Sequence, residues 1–441
     1  MNEVNKELSE EQEDLFNKII NKKTSLFFTG CAGTGKTFLL KKIISHYREN
    51  VGSIASLAIT ASTGRAAFSI GGTTLHSFAG VGLGLESIDK LIPRLKFNKK
   101  ACKRWRDVKL LVIDEVSMLD ATYFDKLEVI ARSIRNNEQP FGGIQLVLTG
   151  DLLQLPPVST GQEFKKRIFQ GEAWSKCIKE CIALHEVFRQ SDEHFIRILT
   201  AIRVGVPTKE VIEFMESVSR EIDYESESGP VNLYATRVKT EEYNQERLSE
   251  IDSEIMIYHA DDKYPKSSRV AANILDSCPA PSILEVKAGA QVMLVKNLTK
   301  DLVNGTVGII TRFTERRELT NSADIFIESI PIVRFTLADG RVFTRPIKRD
   351  SWDSALPTGE IVASRSQIPL ILAWAVTIHK SQGQTIQRLK VDLTNIFESG
   401  QVYTAISRAI SADTLEVVGF NASKISADQI SLQFCIENDI L

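Results

Sequence analysis

The chain has little that would mark a secreted or membrane protein. Its 441 residues include six scattered cysteines, and the closest pair, Cys177 and Cys181, has a spacing that suits one face of a helix better than a zinc knuckle. The longest apolar runs, such as residues 368–378, fall short of the roughly 20 residues that a membrane span needs. The first residues, MNEVNKELSEEQED, resemble neither a signal peptide nor a transit peptide. These absences predict a soluble intracellular protein from a reducing compartment.

A strong net charge is also absent. The net charge is −2 and the isoelectric point is about 6.4, so no overall basicity indicates a polyanionic partner, although a basic groove balanced by acids elsewhere remains compatible with one. The hydrophobic fraction of 43% and the charged fraction of 25% are typical of globular proteins. At this length the chain can hold more than one core, because domains mostly contain about 100–150 residues.

Apolar runs alternate with helical periodicity along the chain. Four such runs end in polar residues, at 25–29, 54–60, 108–114 and 144–150. This alternation predicts an α/β fold with a parallel, doubly wound sheet. A second α/β pattern starts after about residue 185. It is interrupted at 288–366 by short β runs with NG and DG turns, which predict a small all-β insertion.

The stretch GCAGTGKT at 30–37 matches G-x-x-x-x-G-K-[ST] between a predicted strand and a predicted helix. Gly33 and Gly35 would let backbone N–H groups surround phosphate oxygens at a helix N-terminus. Lys36 would reach the terminal phosphates, and the Thr37 hydroxyl would bind Mg²⁺. The sequence therefore predicts a nucleoside triphosphate site.

A carboxylate pair follows a later apolar run, in LLVIDEVSM at 110–118. Asp114 is the candidate magnesium partner, and Glu115 is placed to polarise an attacking water. The sequence has no N-K-x-D guanine signature, which counts against a GTPase. A Glu directly after the Asp suits hydrolysis better than phosphoryl transfer to a small molecule.

Three further residues are candidates for contact with the γ-phosphate. Gln154 lies in LTGDLLQLPPV at 148–158, Arg189 in ALHEVFRQ and Arg408 in QVYTAISRA. Two arginines from a second domain that faces the phosphate loop would complete a nucleotide site in the cleft between domains.

These motifs belong to an ordered set that also includes TASTGRAA (60–67), GGTTLHSFAG (71–80) and AWAVTIHKSQGQT (373–385). In this order the chain resembles the PIF (petite integration frequency) family of superfamily-one DNA helicases, relatives of RecD. The segment DKLEVIARSIRNNEQPFGGIQLVLTGD (125–151) is similar to one that separates this family from other RecD-like proteins. The resemblance covers nearly all of residues 8–420.

The resemblance implies an architecture of two RecA-like, parallel-sheet P-loop domains. The implied divisions are a first domain at 1–184 with a wedge insertion at about 80–107, a second domain at 185–287 and 367–441, and an SH3-like β insertion at 288–366.

The resemblance also implies three sets of site residues. The hydrolytic set is Lys36, Asp114, Glu115, Gln154, Arg189 and Arg408, with Mg²⁺ held by Thr37 and Asp114. The ATP-binding set is Gln12, which would read adenine, and Gly30, Cys31, Ala32, Gly33, Thr34, Gly35, Lys36, Thr37, Gly383 and Gln384. The DNA-binding set is Thr60, Ser62, Thr63, His76, Thr377, His379 and Lys380. The segment like TIHKSQGQT would thus join the ATP cleft to the nucleic-acid track, and residues 401–420 resemble a further DNA-contacting segment.

The strongest basic run is RLKFNKKACKRWR at 94–106, within the implied wedge. It would hold duplex phosphates, but such runs are often only solvated faces, and both interpretations stay open. Phe78 and Trp352 are candidates for stacking on bases.

The implied activity is an ATP- and Mg²⁺-dependent 5′-to-3′ DNA helicase that acts as a monomer on single-stranded DNA and on forked or tailed duplexes, away from membranes. Genome maintenance and a nuclear location would follow in a eukaryote, with mitochondrion or bacterial cytoplasm as other locations. Long terminal extensions of the family are not part of the pattern here. Two alternatives remain: an RNA-directed motor of similar architecture, and a nucleotide-gated binding module with little turnover.

Overall fold

The protein is described by a computed structural model. It covers residues 7–50, 54–82, 84–157, 165–223, 228–264, 275–276, 278–299, 301–319, 325–337, 341–355 and 361–441. Within these ranges every helix is too short or too polar to cross a lipid bilayer.

A six-stranded parallel sheet forms the first lobe, in the strand order β3-β2-β4-β5-β1-β6. Its strands are β1 (Leu26–Gly30), β2 (Leu57–Ala61), β3 (Thr73–Thr74), β4 (Leu110–Asp114), β5 (Gln145–Thr149) and β6 (Glu180–Leu184). The four apolar runs became β1, β2, β4 and β5, which confirms the predicted parallel sheet.

Helices cover both faces of this sheet. They are α1 (Glu10–Ile20), α2 (Lys36–Asn50), α3 (Gly64–Ser69), α4 (Leu75–Ala79), α5 (Ile88–Phe97), α6 (Lys99–Asp107), α7 (Ala121–Arg135) and α8 (Glu172–Cys177). Alternate side chains of a strand point to opposite faces. Accordingly, Leu26 and Phe28 pack with α1 and α2, whereas Phe27 packs with α4 to α8. Both faces are buried, which explains why the central strands are mostly apolar.

The segment 125–151 forms α7, a tight turn and β5. The Arg135 guanidinium, at the end of α7, donates hydrogen bonds to the backbone carbonyls of Trp105, Arg106, Val108 and Gly142. It thereby fixes the end of α6 against the start of β4. Arg135, which lies in the segment 125–151 that resembles the family's own, therefore has a structural role in the first lobe.

The second lobe and the β strands beside it follow Leu184. Their helices are α9 (Glu193–Arg203), α10 (Lys209–Ser217), α11 (Arg237–Ser249), α12 (Ile378–Ser381), α13 (Gln401–Ile406) and α14 (Gln429–Glu437). Their strands are β7 (Val231–Tyr234), β8 (Ile255–His259), β9 (Asp261–Lys263), β10 (Ile283–Lys287), β11 (Gln291–Leu294), β12 (Val307–Leu319), β13 (Ile325–Thr336), β14 (Val342–Pro346), β15 (Asp350–Ala355), β16 (Ile361–Gln367), β17 (Leu370–Leu372), β18 (Ala375–Thr377), β19 (Leu389–Asp392) and β20 (Leu415–Val418). The second lobe is built on a parallel sheet of four strands, in the order β18-β7-β19-β20.

The remaining strands make an antiparallel β module. A five-stranded sheet (β14-β13-β12-β11-β17) lies with a three-stranded sheet (β15-β16-β9) and the ribbon β10-β8. Because β9 pairs with β16, strand pairing reaches further toward the N-terminus than the predicted insertion at 288–366. The DG turn at 339–340 lies outside the described residues.

The chain returns to the first lobe near its end. Cys435 of α14 is fully buried in the first-lobe core, and the Phe434 ring stacks on Phe169 with 4.1 Å between centroids. Arg167 donates to both carboxylate oxygens of Asp428, at 2.9 and 2.8 Å. Residues from 427 onward therefore pack with the first lobe, although the predicted second domain includes them.

The two neighbouring cysteines do not share a helix. Cys177 is the last residue of α8, whereas Cys181 lies in β6. The prediction of one helical face was wrong, because α8 ends before its next turn.

Candidate nucleotide and nucleic-acid site

The phosphate loop connects β1 to α2, which begins at Lys36. Gly33 and Gly35 have φ of 98° and 79°, which side chains rarely adopt. A Cβ at Gly33 would lie 2.7 Å from Cβ of Arg189, and one at Gly35 would lie 2.6 Å from Nε2 of Gln12. Glycine is therefore needed at both positions for conformation and for space. The Lys36 ammonium donates to the carbonyls of Gly30 and Cys31 inside the loop, and burial lowers its pKa.

Asp114 and Glu115 stand at the carboxyl end of β4. Burial and the neighbouring charge of Glu115 raise the pKa of Asp114 to about 8. Burial also raises the pKa of Glu115, against the opposing effects of Lys36 and Arg408. Two buried carboxylates this close favour a cation between or beside them.

The donor set fits Mg²⁺. Thr37 offers a hydroxyl and Asp114 a carboxylate, and Mg²⁺ commonly binds proteins through one or two carboxylates together with substrate phosphates and water. In the described ranges, no group of three or more His, Cys, Asp or Glu side chains is placed to hold a metal. A magnesium ion here would therefore depend on phosphates of the substrate.

Gln154 follows β5 and is held by Asp151. The Gln154 amide donates to the Asp151 carboxylate at 3.3 Å, and the same carboxylate accepts from Arg203 of α9 at 3.0 Å. Asp151 and Arg203 are each only 1% exposed. Although burial opposes it, the cations of Arg203 and Lys36 hold the pKa of Asp151 below its usual range. This ion pair joins the lobes and was missed, because Arg203 lies in no recognised motif.

The two predicted arginines meet at Ser407 in the second lobe. Arg189 donates to the Ser407 carbonyl at 2.9 Å, and Arg408 donates to the Ser407 hydroxyl at 2.8 Å. Burial and the like charge of Arg408 lower the pKa of Arg189 to about 9. The backbone at Phe188 donates to the Gly33 carbonyl at 2.9 Å, so this segment lies directly on the phosphate loop.

Gln12 is fixed at the adenine end predicted for the site. Its side chain closes a capping box with Ser9 and donates to the Thr34 carbonyl at 3.3 Å. Phe188 lies beside it, 3.5 Å from a Cβ at Gly35, and is 52% exposed. Phe188 was missed, although an aromatic residue directly before Arg189 was a usable signal.

Tyr403 is a further missed residue. The backbone N–H of Ala32 in the phosphate loop donates to the Tyr403 hydroxyl oxygen at 2.8 Å. Tyr403 of the second lobe therefore contacts the phosphate loop directly.

The cluster after β18 places a different glutamine at the cleft from the one predicted. Gln382 donates to the Glu115 carboxylate at 3.0 Å and to Oε1 of Gln154 at 3.3 Å. Gln384 is instead 2% exposed and donates to Asn304 at 3.2 Å. The structure therefore brings Gln382 into contact with two residues predicted to act in hydrolysis, whereas Gln384 contacts Asn304.

Of the predicted DNA contacts of the first lobe, Ser62 touches one of these acidic residues. Ser62 donates to the Glu115 carbonyl at 2.6 Å, and Thr63 caps α3. The His76 ring stacks on Tyr123. Thr60 is fully buried and its hydroxyl donates to a β4 carbonyl, so its side chain does not reach the surface in this structure.

The predicted DNA contacts of the second lobe sit on α12. Thr377 caps this helix, and the His379 ring lies 3.5 Å from the Glu398 carboxylate. Burial, followed by the nearby charges of Arg237 and Arg65, lowers the pKa of Lys380. Arg65 of the first lobe donates to the Lys380 carbonyl, which joins the two lobes across this surface. The cations around Lys380 make the surface suitable for phosphate.

The two candidate stacking rings are buried. Phe78 is 0% exposed and Trp352 is 5% exposed, so neither offers a face to a base here. The basic run 94–106 forms the C-terminal end of α5, from Arg94 to Phe97, and all but the last residue of α6, with Trp105 in the core. Phe97 is the last residue of α5 and is 88% exposed, with Lys96 before it and Lys99 shortly after it.

Comparisons with known proteins agree with this geometry. A family profile described as "PIF1-like helicase" matches residues 7–211, and one described as "DNA helicase Pif1, 2B domain" matches residues 271–313. The chain is 42% identical to "ATP-dependent DNA helicase PIF1" of Danio rerio over 98% of its own length and 64% of that protein. The chain thus spans less than two thirds of the length of the curated relatives.

Two solved structures are similar over nearly the whole chain. The Pif1 helicase of Candida albicans is 40% identical with a TM-score of 0.77, and the match covers 98% of this chain and 99% of that one. The Bacteroides Pif1 helicase in complex with ADP-AlF3 and ssDNA is 27% identical with a TM-score of 0.65, covering 99% and 98%. On these matches, and on the motifs and lobes described above, the chain belongs to the PIF1-like helicase family.

Proposed function

We propose that this protein is an ATP-dependent 5′-to-3′ DNA helicase that translocates on single-stranded DNA. The observation that carries the proposal is the contact between lobes at Gln382, Glu115 and Gln154. It connects the predicted hydrolytic residues of the first lobe to the helix that bears the predicted DNA contacts of the second.

Each lobe supplies part of the proposed hydrolytic site. The phosphate loop and Lys36 would bind the phosphates, and Thr37 and Asp114 would hold Mg²⁺, whose positive charge would neutralise the phosphate oxygens. Glu115 accepts a proton from the attacking water, and Gln154 senses the γ-phosphate. Arg189 and Arg408 approach from the second lobe and stabilise charge that develops as the terminal phosphoryl group is transferred.

Binding of the DNA strand would depend on the same two lobes. The proposed DNA surface spans both lobes, with Ser62, Thr63 and His76 on the first and Thr377, His379 and Lys380 on the second. A change in the angle between lobes would change the spacing of these groups along a phosphate backbone. The Bacteroides relative was solved with ADP-AlF3 and single-stranded DNA bound together. This supports the proposal that one molecule binds the nucleotide in the cleft and the strand on the surface that spans both lobes.

The finer parts of the proposal rest on the family. They are the 5′-to-3′ direction, preference for forked or tailed duplexes, action as a monomer, roles in genome maintenance and a nuclear location in a eukaryote. The domain divisions and the site sets predicted from the sequence are also proposals, as is a DNA contact by residues 401–420.

The test is an ATPase and unwinding assay on tailed duplexes. We expect ATP turnover to rise with single-stranded DNA, and a 5′-tailed duplex to be unwound faster than a 3′-tailed one. Lys36→Ala should abolish both activities. Lys109→Ala should not, because Lys109 is exposed and directly precedes β4, at the end of the strands opposite to the phosphate loop. Turnover that ignores DNA would favour the nucleotide-gated module. Stimulation only by RNA would favour the RNA-directed motor.

A further inference from the structure

Gln382 occupies an unusual junction between the lobes. It is the C-cap residue of α12, directly after the helix that carries His379 and Lys380. Its amide group crosses to the first lobe, where it donates to the Glu115 carboxylate at 3.0 Å and to Gln154 Oε1 at 3.3 Å. Only Ser381 thus separates Lys380, a predicted DNA contact, from the residue that contacts the predicted hydrolytic carboxylate.

The backbone of Glu115 is already fixed by other groups. Its φ is 54°, in the left-handed region that residues other than glycine adopt rarely. Ser62 donates to its carbonyl at 2.6 Å, and its N–H donates to the Asp114 carboxylate at 2.8 Å. The freedom that remains to Glu115 is that of its side chain, and the Gln382 amide restrains that side chain.

The second acceptor of Gln382 is also held in place. Gln154 donates its own amide hydrogen to Asp151, which is paired with Arg203. Its carbonyl oxygen is therefore directed away from Asp151 and toward Gln382. A chain of hydrogen bonds runs from Arg203 of the second lobe through the first lobe to Gln382 of the second lobe.

We propose that Gln382 is a positioning residue that couples the DNA-gripping helix α12 to the Glu115 carboxylate. When α12 shifts on the DNA strand, the Gln382 amide shifts the Glu115 side chain through their hydrogen bond. Binding of DNA thereby determines whether the Glu115 carboxylate is positioned to act on the attacking water. This inference rests on the proposed helicase function and adds to it a specific residue for the coupling between DNA and hydrolysis.

The experiment compares three substitutions in the full chain. Gln382→Met keeps the volume and removes the donor, Gln382→Glu places a like charge against Glu115, and Gln382→Lys keeps a donor of similar reach. The measured quantity is the DNA stimulation, meaning the ratio of kcat for ATP with saturating single-stranded DNA to kcat without it. The KM for ATP, the Kd for single-stranded DNA and the thermal midpoint are measured alongside.

We expect stimulation to fall by about tenfold to a hundredfold in Gln382→Met, because a hydrogen bond to a charged group is lost. Gln382→Glu should fall at least as far, and Gln382→Lys should retain more stimulation than either. The KM, the Kd and the midpoint should stay close to those of the unmodified chain. A merely structural role would not give this order of substitutions.

The matched control is Asn304→Ala. It removes the hydrogen bond of 3.2 Å that the amide of Gln384, a near neighbour of Gln382 in sequence, donates to Asn304. We expect it to keep the stimulation of the unmodified chain. The inference is overturned if Gln382→Met keeps stimulation within about twofold, or if all three Gln382 variants lose binding, turnover and thermal stability together. An unmodified chain without DNA-stimulated turnover overturns the helicase proposal as well.

Discussion

Replacing Arg203 by methionine is expected to weaken the junction between the lobes. The Arg203 guanidinium donates to the Asp151 carboxylate at 3.0 Å from Nη2 and 3.2 Å from Nε, and both residues are 1% exposed. The substitution keeps most of the side-chain volume and leaves the Asp151 charge buried without its cation.

The expected loss follows from that unpaired charge. Breaking a buried ion pair by removing one partner costs about 3–5 kcal/mol. Asp151 keeps hydrogen bonds from the Leu153 backbone and the Gln154 amide, which should place the loss near the lower end of this range. For a unit of about 200 residues, a loss of about 3 kcal/mol lowers the midpoint by roughly 6–12 °C.

The assay is thermal and urea unfolding of the full chain, followed by circular dichroism. Asp151→Asn combined with Arg203→Met is the control, because it removes the buried charge together with its partner. We expect the double variant to regain more than half of the lost stability. A loss below about 1 kcal/mol in Arg203→Met would contradict a buried, unpaired Asp151 charge, since it would mean that water or another cation reaches Asp151.

Three further outcomes follow from the site and from the return of the chain to the first lobe. Arg408→Ala should lower kcat for ATP by about 10³–10⁵ with little change in the Kd for single-stranded DNA, and Arg189→Ala should act in the same direction. Phe188→Ala should raise the KM for ATP by about tenfold or more with a smaller change in kcat, because an aromatic face beside a base contributes about 1–3 kcal/mol. Arg167→Met should lower the free energy of unfolding by about 1–3 kcal/mol in urea titrations at pH 7. Burial alone would raise the pKa of Asp428, but the hydrogen bonds from Arg167 outweigh burial and lower this pKa. The stabilisation by Arg167 is therefore present above the ordinary carboxyl pKa of about 3.9 and is lost as the pH falls below that value. If the free energy of unfolding falls at acid pH in Arg167→Met as it does in the unmodified chain, the role given to the Arg167–Asp428 pair is contradicted.

The parallel sheets could be predicted from the sequence because their strands are buried on both faces. The strands β4 and β5 have an apolar centre, LLVI and LVL, and each ends in a polar residue, Asp114 or Thr149, where the parallel strands end. The phosphate loop was equally predictable, since glycine, lysine and threonine have fixed roles at fixed spacing.

What could not be predicted depends on direction and long-range contact. Gln382 and Gln384 are alike in sequence, and only the path of the turn decides that the first meets Glu115 while the second meets Asn304. Thr60 lies in a motif predicted to contact DNA, but it is part of strand β2 and its side chain is fully buried.

The C-terminal return was beyond sequence patterns for a related reason. Helix α14 is apolar on several sides, so its periodicity does not say which core it joins. Its contact with Phe169 spans more than 250 residues of sequence. Strand β9 is short and polar, and only its pairing with β16 reveals it as part of the β module.

The central claim is that nucleotide binding between the two lobes changes how tightly a single strand is held. The most direct measurement is the Kd for a fluorescent single-stranded oligonucleotide, with and without a non-hydrolysable ATP analogue and Mg²⁺, in the unmodified chain and in Lys36→Ala. We expect the analogue to shift the Kd of the unmodified chain by about fivefold or more and to leave that of Lys36→Ala unchanged. An equal Kd in all four conditions would contradict it.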